Sequence, residues 1–429
     1  MRFRSTRGHP ESITASEAIN RGLAPDGGLY VPESWPRFRP EDFDGLQRLD
    51  QVAARLISPF FQGDPLEPEL AEICAQALNF PIPNRWLEAD RLAMLELFHG
   101  PTAAFKDVGA RFLSACMQRM EQQSDRPLNI LVATSGDTGG AVAAAFDGVA
   151  GIRVVVLYPK GLVSPRQEHQ LCCWGENIIS LRVTGRFDDC QALVKQAFND
   201  ASLRQRYRLS SANSISIGRL LPQMSYYAHS SLEYWRATGK RLNYIIPTGN
   251  VGNSLACIWA RQLGLPIGEI RLATNANRTI PDYLQTGQWQ PRESLATLAS
   301  AMDVGAPSNM ERLMHLHPEL EQLRQAVAVQ SVDDEEIRQQ IQAVWARWQE
   351  MICPHTATAF KVWQDLDDTQ RQWPWSLVAT AHAAKFDTIV EPLLGRQVPL
   401  PDALVEILQR PATRHDILPE LDALLPHLA

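Results

Sequence analysis

The sequence predicts an α/β protein in which two parallel-type sheet domains are wrapped by helices, preceded by a mainly helical N-terminal region. Three observations predict it. Short apolar runs alternate with helical patterns from about residue 90 onward. The three sharpest motifs each follow such a run and open a helix, the place where open parallel sheets bind ligands. Composition points to no other class: of 429 residues, 45% are hydrophobic and 21% charged, as in ordinary globular chains.

The elements follow in order. Residues 1–80 form the N-terminal region, with turn signals at Pro25-Asp26-Gly27-Gly28 and near Pro32. Buried strands are expected at 93–97, 129–133, 152–158, 178–183, 242–246, 270–274 and 377–380. Helical patterns lie at 139–146, 188–199, 219–235 and 255–263. The stretch 331–365 is long, polar and helical by pattern, with an end near Ile352-Cys353-Pro354, and reads as a packing helix with a solvated face and no chemistry. The expected domains are 1–80, a large ligand-binding unit of 81–106 with 216–429, and a small α/β unit of 107–215.

Several function classes are excluded. A net charge of −7 leaves no basic footprint for nucleic acid. No stretch approaches the roughly 20 apolar residues of a membrane span. The opening MRFRSTRGHP lacks the apolar core of a secretion signal. Seven cysteines without a C-x-x-C pair suggest reduced thiols in a cytoplasmic protein, with the adjacent Cys172 and Cys173 as packing residues. No cluster has metal-ligand spacing.

The first motif is His99-Gly100-Pro101-Thr102-Ala103-Ala104-Phe105-Lys106-Asp107. A partly enclosed lysine at a helix start is biased toward the neutral amine, which can condense with an aldehyde cofactor. Spacing alone favours an ordinary helix-start lysine. The second is Thr134-Ser135-Gly136-Asp137-Thr138-Gly139-Gly140, whose hydroxyls and free amides could cradle a carboxylate or phosphate, or be a plain cap by Asp137 or Thr138. The third, Pro247-Thr248-Gly249-Asn250-Val251-Gly252-Asn253, is a strand–glycine loop–helix whose glycines would permit positive φ and close approach of an anion. It is neither a dinucleotide fingerprint nor a Walker sequence.

Together these motifs resemble the fold-type II pyridoxal-phosphate enzymes, the tryptophan synthase β family. The resemblance sharpens to the threonine synthases over nearly the whole chain. It runs from Ser5-Thr6-Arg7-Gly8 and Gly22–Pro32, through the three motifs, to Asn213-Ser214-Ile215, Gly218–Gln223, Ala273–Asn277, Ala301–Gly305, Pro307-Ser308-Asn309, Pro354–Ala357 and Ala379–His382. Three positions depart from the family pattern: Val251 where phenylalanine is common, Ser216 where asparagine is expected, and Ala383 where proline is frequent.

The resemblance implies pyridoxal 5'-phosphate as cofactor and conversion of O-phospho-L-homoserine and water to L-threonine and phosphate. It implies a carbon–oxygen lyase acting on phosphates, working as a monomer or homodimer. The alternatives are a phospho-lyase giving 2-oxobutyrate, a generic dehydratase, or a non-catalytic metabolite-binding module. Lys106 would carry the cofactor and shuttle protons. Gly249, Asn250, Val251, Gly252 and Asn253 would cradle its phosphate, and Thr380 would meet its ring nitrogen. Ser135, Gly136, Asp137 and Thr138 would hold the substrate carboxylate. Arg219 and Asn213 are the first candidates for the substrate phosphate, ahead of Lys160 and Arg166. His99, His355 and His382 would pack or orient, and Ser308, Asn309 and Asn277 would bond backbone.

Overall fold

This computed structural model describes residues 1–121, 126–134 and 136–428. The N-terminal region opens with a small antiparallel pair, β1 (Phe3–Ser5) against β2 (Tyr30–Pro32). The rest of it is helical, as expected, with helices Ala15–Arg21, Leu49–Ile57 and Leu70–Ala77. The first helix starts where Thr14 and Glu17 satisfy each other's amides in a capping box.

Eleven further strands follow: β3 (Asn84–Glu88), β4 (Leu92–Glu96), β5 (Leu128–Ala133), β6 (Ile152–Pro159), β7 (Ile178–Val183), β8 (Arg208–Ser210), β9 (Leu242–Pro247), β10 (Ile267–Thr274), β11 (Ala328–Ser331), β12 (Trp375–Ala379) and β13 (His415–Ile417). The larger sheet has the order β11-β10-β9-β12-β4-β3. It is parallel except where β3 runs against β4. The smaller sheet, β13-β7-β6-β5-β8, is parallel throughout. All seven expected strands are present. Runs such as Val154-Val155-Val156, fully buried, are continuous in apolar character because helices cover both faces.

Within each sheet the parallel strands end on the same side, so the helices that follow them begin there. Asp137–Phe146 follows β5, and Gly252–Gln262 follows β9. Lys106–Met120 follows β4 after a nine-residue loop.

Elsewhere the structure corrects the sequence reading. The stretch 331–365 begins with the end of β11, its helix Asp334–Trp348 stops a few residues before the end expected near Ile352-Cys353-Pro354, and a second helix, Pro354–Gln364, follows. Gln349 turns left-handed at φ 58°, and Pro354 sits in the first turn of the next helix, where its missing N–H costs nothing. The helix expected at 219–235 is interrupted at Leu221–Gln223 by a tighter turn containing Pro222. β13 pairs with β7, so residues 415–417 belong to the smaller sheet and not to the large unit. All seven cysteines are free and buried. Among the described residues no helix is long and apolar enough to cross a membrane, and no His, Cys, Asp and Glu cluster could hold a metal.

Helix Lys106–Met120 lies against the short helix Ile217–Leu220 at one close point. A Cβ on Gly109 would stand 2.8 Å from the backbone oxygen of Arg219. Gly109→Ala must push the two apart and is expected to destabilise the fold by about 1–3 kcal/mol. An unchanged thermal denaturation midpoint would refute this account of the packing.

Candidate active site

The segment carrying Lys106 leaves β4 and is sewn to the end of β12. Leu97 N–H donates to the Ala379 carbonyl at 3.0 Å, Phe105 N–H to Thr380 at 2.8 Å, and His382 N–H to Ala103 at 3.0 Å. Ala103 takes a left-handed φ of 53° to turn the chain into the helix. Lys106 is the first helical residue, and its Nζ donates to Thr138 Oγ1 at 3.1 Å. Burial, then the positive charge of Arg219, pull its pKa down to about 8, with Lys385 adding to them and Asp137 opposing. The amine is therefore much more often neutral at physiological pH than a surface lysine. The three segments ending in Lys106, Thr138 and Thr380 thus meet at one place.

In the second motif Thr134 Oγ1 accepts N–H bonds from Gly136 at 3.0 Å and Gly139 at 2.9 Å, which ties the turn to the helix start. Gly136 has a φ of 145°, open to glycine alone. Ser135 lies outside the described residues. The Asp137 side chain departs from its expected part. Its carboxylate is buried against Lys385 Nζ at 2.9 Å and Gln167 Nε2 at 3.1 Å. An anion already paired in this way cannot hold a second carboxylate, so among the described residues that task passes from the Asp137 side chain to backbone amides of the turn and the Thr138 hydroxyl.

The third motif is correct in outline and wrong in one detail. The left-handed residue is not a glycine but Val251, at φ 67°. It precedes helix Gly252–Gln262, and no side chain caps the helix there. The first amides of that helix are accordingly left for an anion. Gly249 is required for close approach, since its Cβ would lie 2.7 Å from the Met302 Cα. Gly252 meets nothing nearer than Asn309 Nδ2, at 3.4 Å. Asn250 braces the loop: its Nδ2 donates to Ser214 Oγ at 2.6 Å, and its Oδ1 accepts from Ser308 N–H at 2.5 Å. Asn309 Nδ2 donates to the Asn250 carbonyl at 3.1 Å, while Asn309 Oδ1 accepts from Arg312 Nη1 at 2.8 Å. Asn253 Oδ1 accepts the hydroxyls of Tyr226 and Tyr227, which leaves its buried Nδ2 without a partner.

Arg219 is 1% exposed and lines the same cavity as Lys106, the glycine loop and Thr380. Its Nη1 donates to the Ala212 carbonyl at 2.8 Å, its Nε is unpartnered, and burial lowers its pKa to about 10. A buried guanidinium with no carboxylate is costly unless an anion joins it. Asn213 is half-buried and does not line the cavity; Ser214 and Gln223 do. Lys160 pairs with Asp416 at 2.8 Å and Arg166 with Asp387 at 3.1 Å, so neither is free for substrate.

The histidines orient. His355 Nε2 accepts from Ala301 N–H at 3.0 Å, and burial holds its pKa near 4. His382 Nδ1 accepts from Ala384 N–H at 3.2 Å, and its pKa, also pushed down by burial, is about 4. His99 Nε2 lies 2.7 Å from Glu96. Asn277 and Asn275 bond each other and neighbouring backbone, as expected. Sequence reasoning missed Lys385, Gln167 and the tyrosine pair. A lysine inside Ala383-Ala384-Lys385-Phe386 was the one available signal, because an unpaired charge in an apolar run is rare.

These observations fit pyridoxal phosphate. A buried amine, open helix amides beside an orphaned Asn253 Nδ2, and the Thr380 side chain line one cavity. Gly249→Ala should displace the loop from Met302 and weaken cofactor binding at least about tenfold, whereas Gly252→Ala should cost less. Equal affinities for the two folded variants, measured by cofactor titration, would contradict this division of labour.

Comparison with known proteins agrees. Residues 81–381 match the family model described as pyridoxal-phosphate dependent enzyme. Residues 2–78 match the threonine synthase N terminus, and 356–424 the threonine synthase C-terminal region. The threonine synthase of Escherichia coli K12 is 39% identical over 429 residues, covering 99% of this chain and 98% of that one. That of Serratia marcescens is 39% identical over 97% of this chain and 96% of its own length. The crystal structure of PLP-bound threonine synthase from Brucella melitensis superposes with a TM-score of 0.93 at 32% identity, covering 100% of this chain and 98% of that one. Three matching segments along its length, with a buried lysine and a strand–glycine loop–helix on one cavity, place the chain in the threonine synthase family of pyridoxal-phosphate enzymes.

Proposed function

We propose that the chain converts O-phospho-L-homoserine and water to L-threonine and phosphate in the cytoplasm. Its relatives are named threonine synthases, and it is a pyridoxal-phosphate enzyme. The observation that carries the choice of substrate is Arg219: a buried guanidinium with no acidic partner, on the wall of the cavity that holds Lys106. A phosphate monoester on the substrate would supply the missing negative charge through the planar donor fork.

Pyridoxal phosphate, when bound, supplies an electron sink that stabilises negative charge at the carbon next to the substrate amine. The chain's residues do the rest. Lys106 first fixes the cofactor and, once displaced by the substrate amine, takes and returns protons as a base whose environment lowers its proton affinity toward physiological pH. Thr138 accepts a bond to Lys106 Nζ and so points that amine across the turn. The Gly249–Asn253 loop anchors the cofactor phosphate by helix amides. Thr380 offers the ring nitrogen a hydroxyl, which cannot give up a proton as readily as a carboxylic acid would. The backbone amides of Asp137 and Thr138 receive the substrate carboxylate, and Arg219 the substrate phosphate. Lys106, Arg219 and Lys385 against the single carboxylate of Asp137 give the pocket an excess of positive charge, matched to a substrate with two anionic groups.

The phospho-lyase that releases 2-oxobutyrate would use the same groups and is not favoured by the relatives' activity. Product analysis with purified protein and O-phospho-L-homoserine tests the reading. Threonine and phosphate should appear in equal amounts, and phosphate with 2-oxobutyrate alone would overturn it. Borohydride should fix the cofactor on the peptide containing Lys106. Arg219→Ala should lower kcat/KM by about ten- to a hundredfold for the phosphorylated substrate, with most of that loss absent when homoserine is compared. Equal losses for both would remove Arg219 from the phosphate site.

A further inference from the structure

We propose that Lys385 is a positioning residue of the active site: its ammonium ties the Lys106 turn and the Asp137 turn to the end of β12, and it neutralises Asp137 so that this carboxylate does not serve as counter-ion to the Lys106 nitrogen. The inference rests on Lys106 being the cofactor's lysine.

The geometry is that of a three-way clasp. Lys385 lies in the short turn Ala383–Phe386, five residues beyond Thr380. Its Nζ donates to the Thr102 carbonyl at 2.7 Å, in the turn that leads to Lys106. The same Nζ meets Asp137 Oδ1 at 2.9 Å, at the head of the helix whose next residue, Thr138, holds Lys106. Lys385 is 1% exposed and Asp137 7% exposed, so water screens the pair very little. One buried ammonium therefore touches two of the segments that build the site and belongs to the third.

Charge gives the clasp its second task. The ionisable groups facing Lys106 are Arg219, Lys385 and Asp137, with the neutral His355 alongside. Lys385 also faces Asp107 and His382. Asp137 is the only carboxylate among the groups acting on Lys106, and it works against the other two by favouring the protonated amine. Burial alone would raise the Asp137 carboxyl. The Lys385 ammonium, with the Gln167 amide, outweighs burial and holds it below the usual carboxylate range, so it stays ionised and paired. Without Lys385 the same carboxylate would be an unpaired buried anion, and the nearby cation left to answer it would be Lys106.

The sign of each effect follows. Removing the Lys385 charge should favour the proton on the Lys106 nitrogen, and removing the Asp137 charge should disfavour it. Removing both should nearly cancel. A lysine that only filled space would produce none of these shifts.

The test uses the full chain loaded with pyridoxal phosphate, reading the visible absorbance of the bound cofactor against pH. Lys385→Met should move the midpoint upward by about one unit, a tenfold change in proton affinity, and Asp137→Asn should move it downward by a similar amount. The double variant should titrate within about 0.3 units of the parent. A Lys385→Met midpoint equal to the parent's, or a double variant displaced as far as the single one, overturns the proposal. If Lys385→Met does not fold, Asp137→Asn decides alone: a midpoint that stays or rises overturns it. Borohydride labelling in the parent separates the two failures. Label on another lysine removes the premise, whereas label on Lys106 with coincident titrations defeats only the role given to Lys385.

Discussion

The constraint on which the site depends is the withdrawal of an amine from water. A lysine at Lys106 has to be buried to lie beside a cofactor, and burial alone disfavours its charge. Each neighbour then has to be compatible with a nitrogen that gains and loses a proton. Thr138 serves because a hydroxyl can accept from the amine whether it carries two hydrogens or three. Arg219 serves because a second cation pushes in the direction that burial already pushes. Asp137 is compatible only because Lys385 engages its carboxylate. The sheet topology supplies the meeting place, since the carboxyl ends of β4, β9 and β12 in the larger sheet and of β5 in the smaller one lead into the segments that line the site.

Much of this was legible beforehand because two signals coincided. Strands buried on both faces, such as β6 and β9, read as unbroken apolar runs, and each led into small or hydroxylated residues at a helix start. What was not legible has physical reasons. β3 is a half-buried edge strand, Asn84-Arg85-Trp86-Leu87-Glu88, with neither alternation nor an apolar run to betray it. β8 and β13 have three residues each and take their stability from partners. The break between Trp348 and Pro354 was marked by the proline but masked by helical periodicity on both sides. At the site, local sequence singled out Lys106, Arg219, Thr380 and the glycine loop, which line one cavity. It did not single out Lys385, because its meaning lies in a carboxylate 248 positions away in the chain. Asn213 was placed one residue from the side chain that lines the cavity, an error within the range that a helix-to-loop transition allows.

Two non-glycine residues hold left-handed backbone beside the cavity: Ala103, three residues before Lys106, and Val251, at the head of the anion-binding helix. A β-branched residue at φ 67° is an uncommon strain, and it persists only where the surroundings over-determine it. Val251 is 2% exposed, and its carbonyl is held by the Leu255 amide and the Ser254 hydroxyl. Asn250, the preceding residue, is gripped by Ser214, Ser308 and Asn309. Arg312 extends that grip to the N-terminal region by donating to the Tyr30 carbonyl at 2.9 Å. The loop before helix Gly252–Gln262 is thus braced from several sides, and the N-terminal region is one of its supports.

The pairing of β13 with β7 has a consequence for biosynthesis. Four strands of the smaller sheet emerge from the ribosome in the middle of translation, but the fifth follows only after the whole larger sheet has been made. Until then the outer edge of β7 presents unpaired amides and carbonyls, the kind of template on which chains aggregate. The nascent protein must carry this open border through a long stretch of elongation, and closing it is among the final acts of folding.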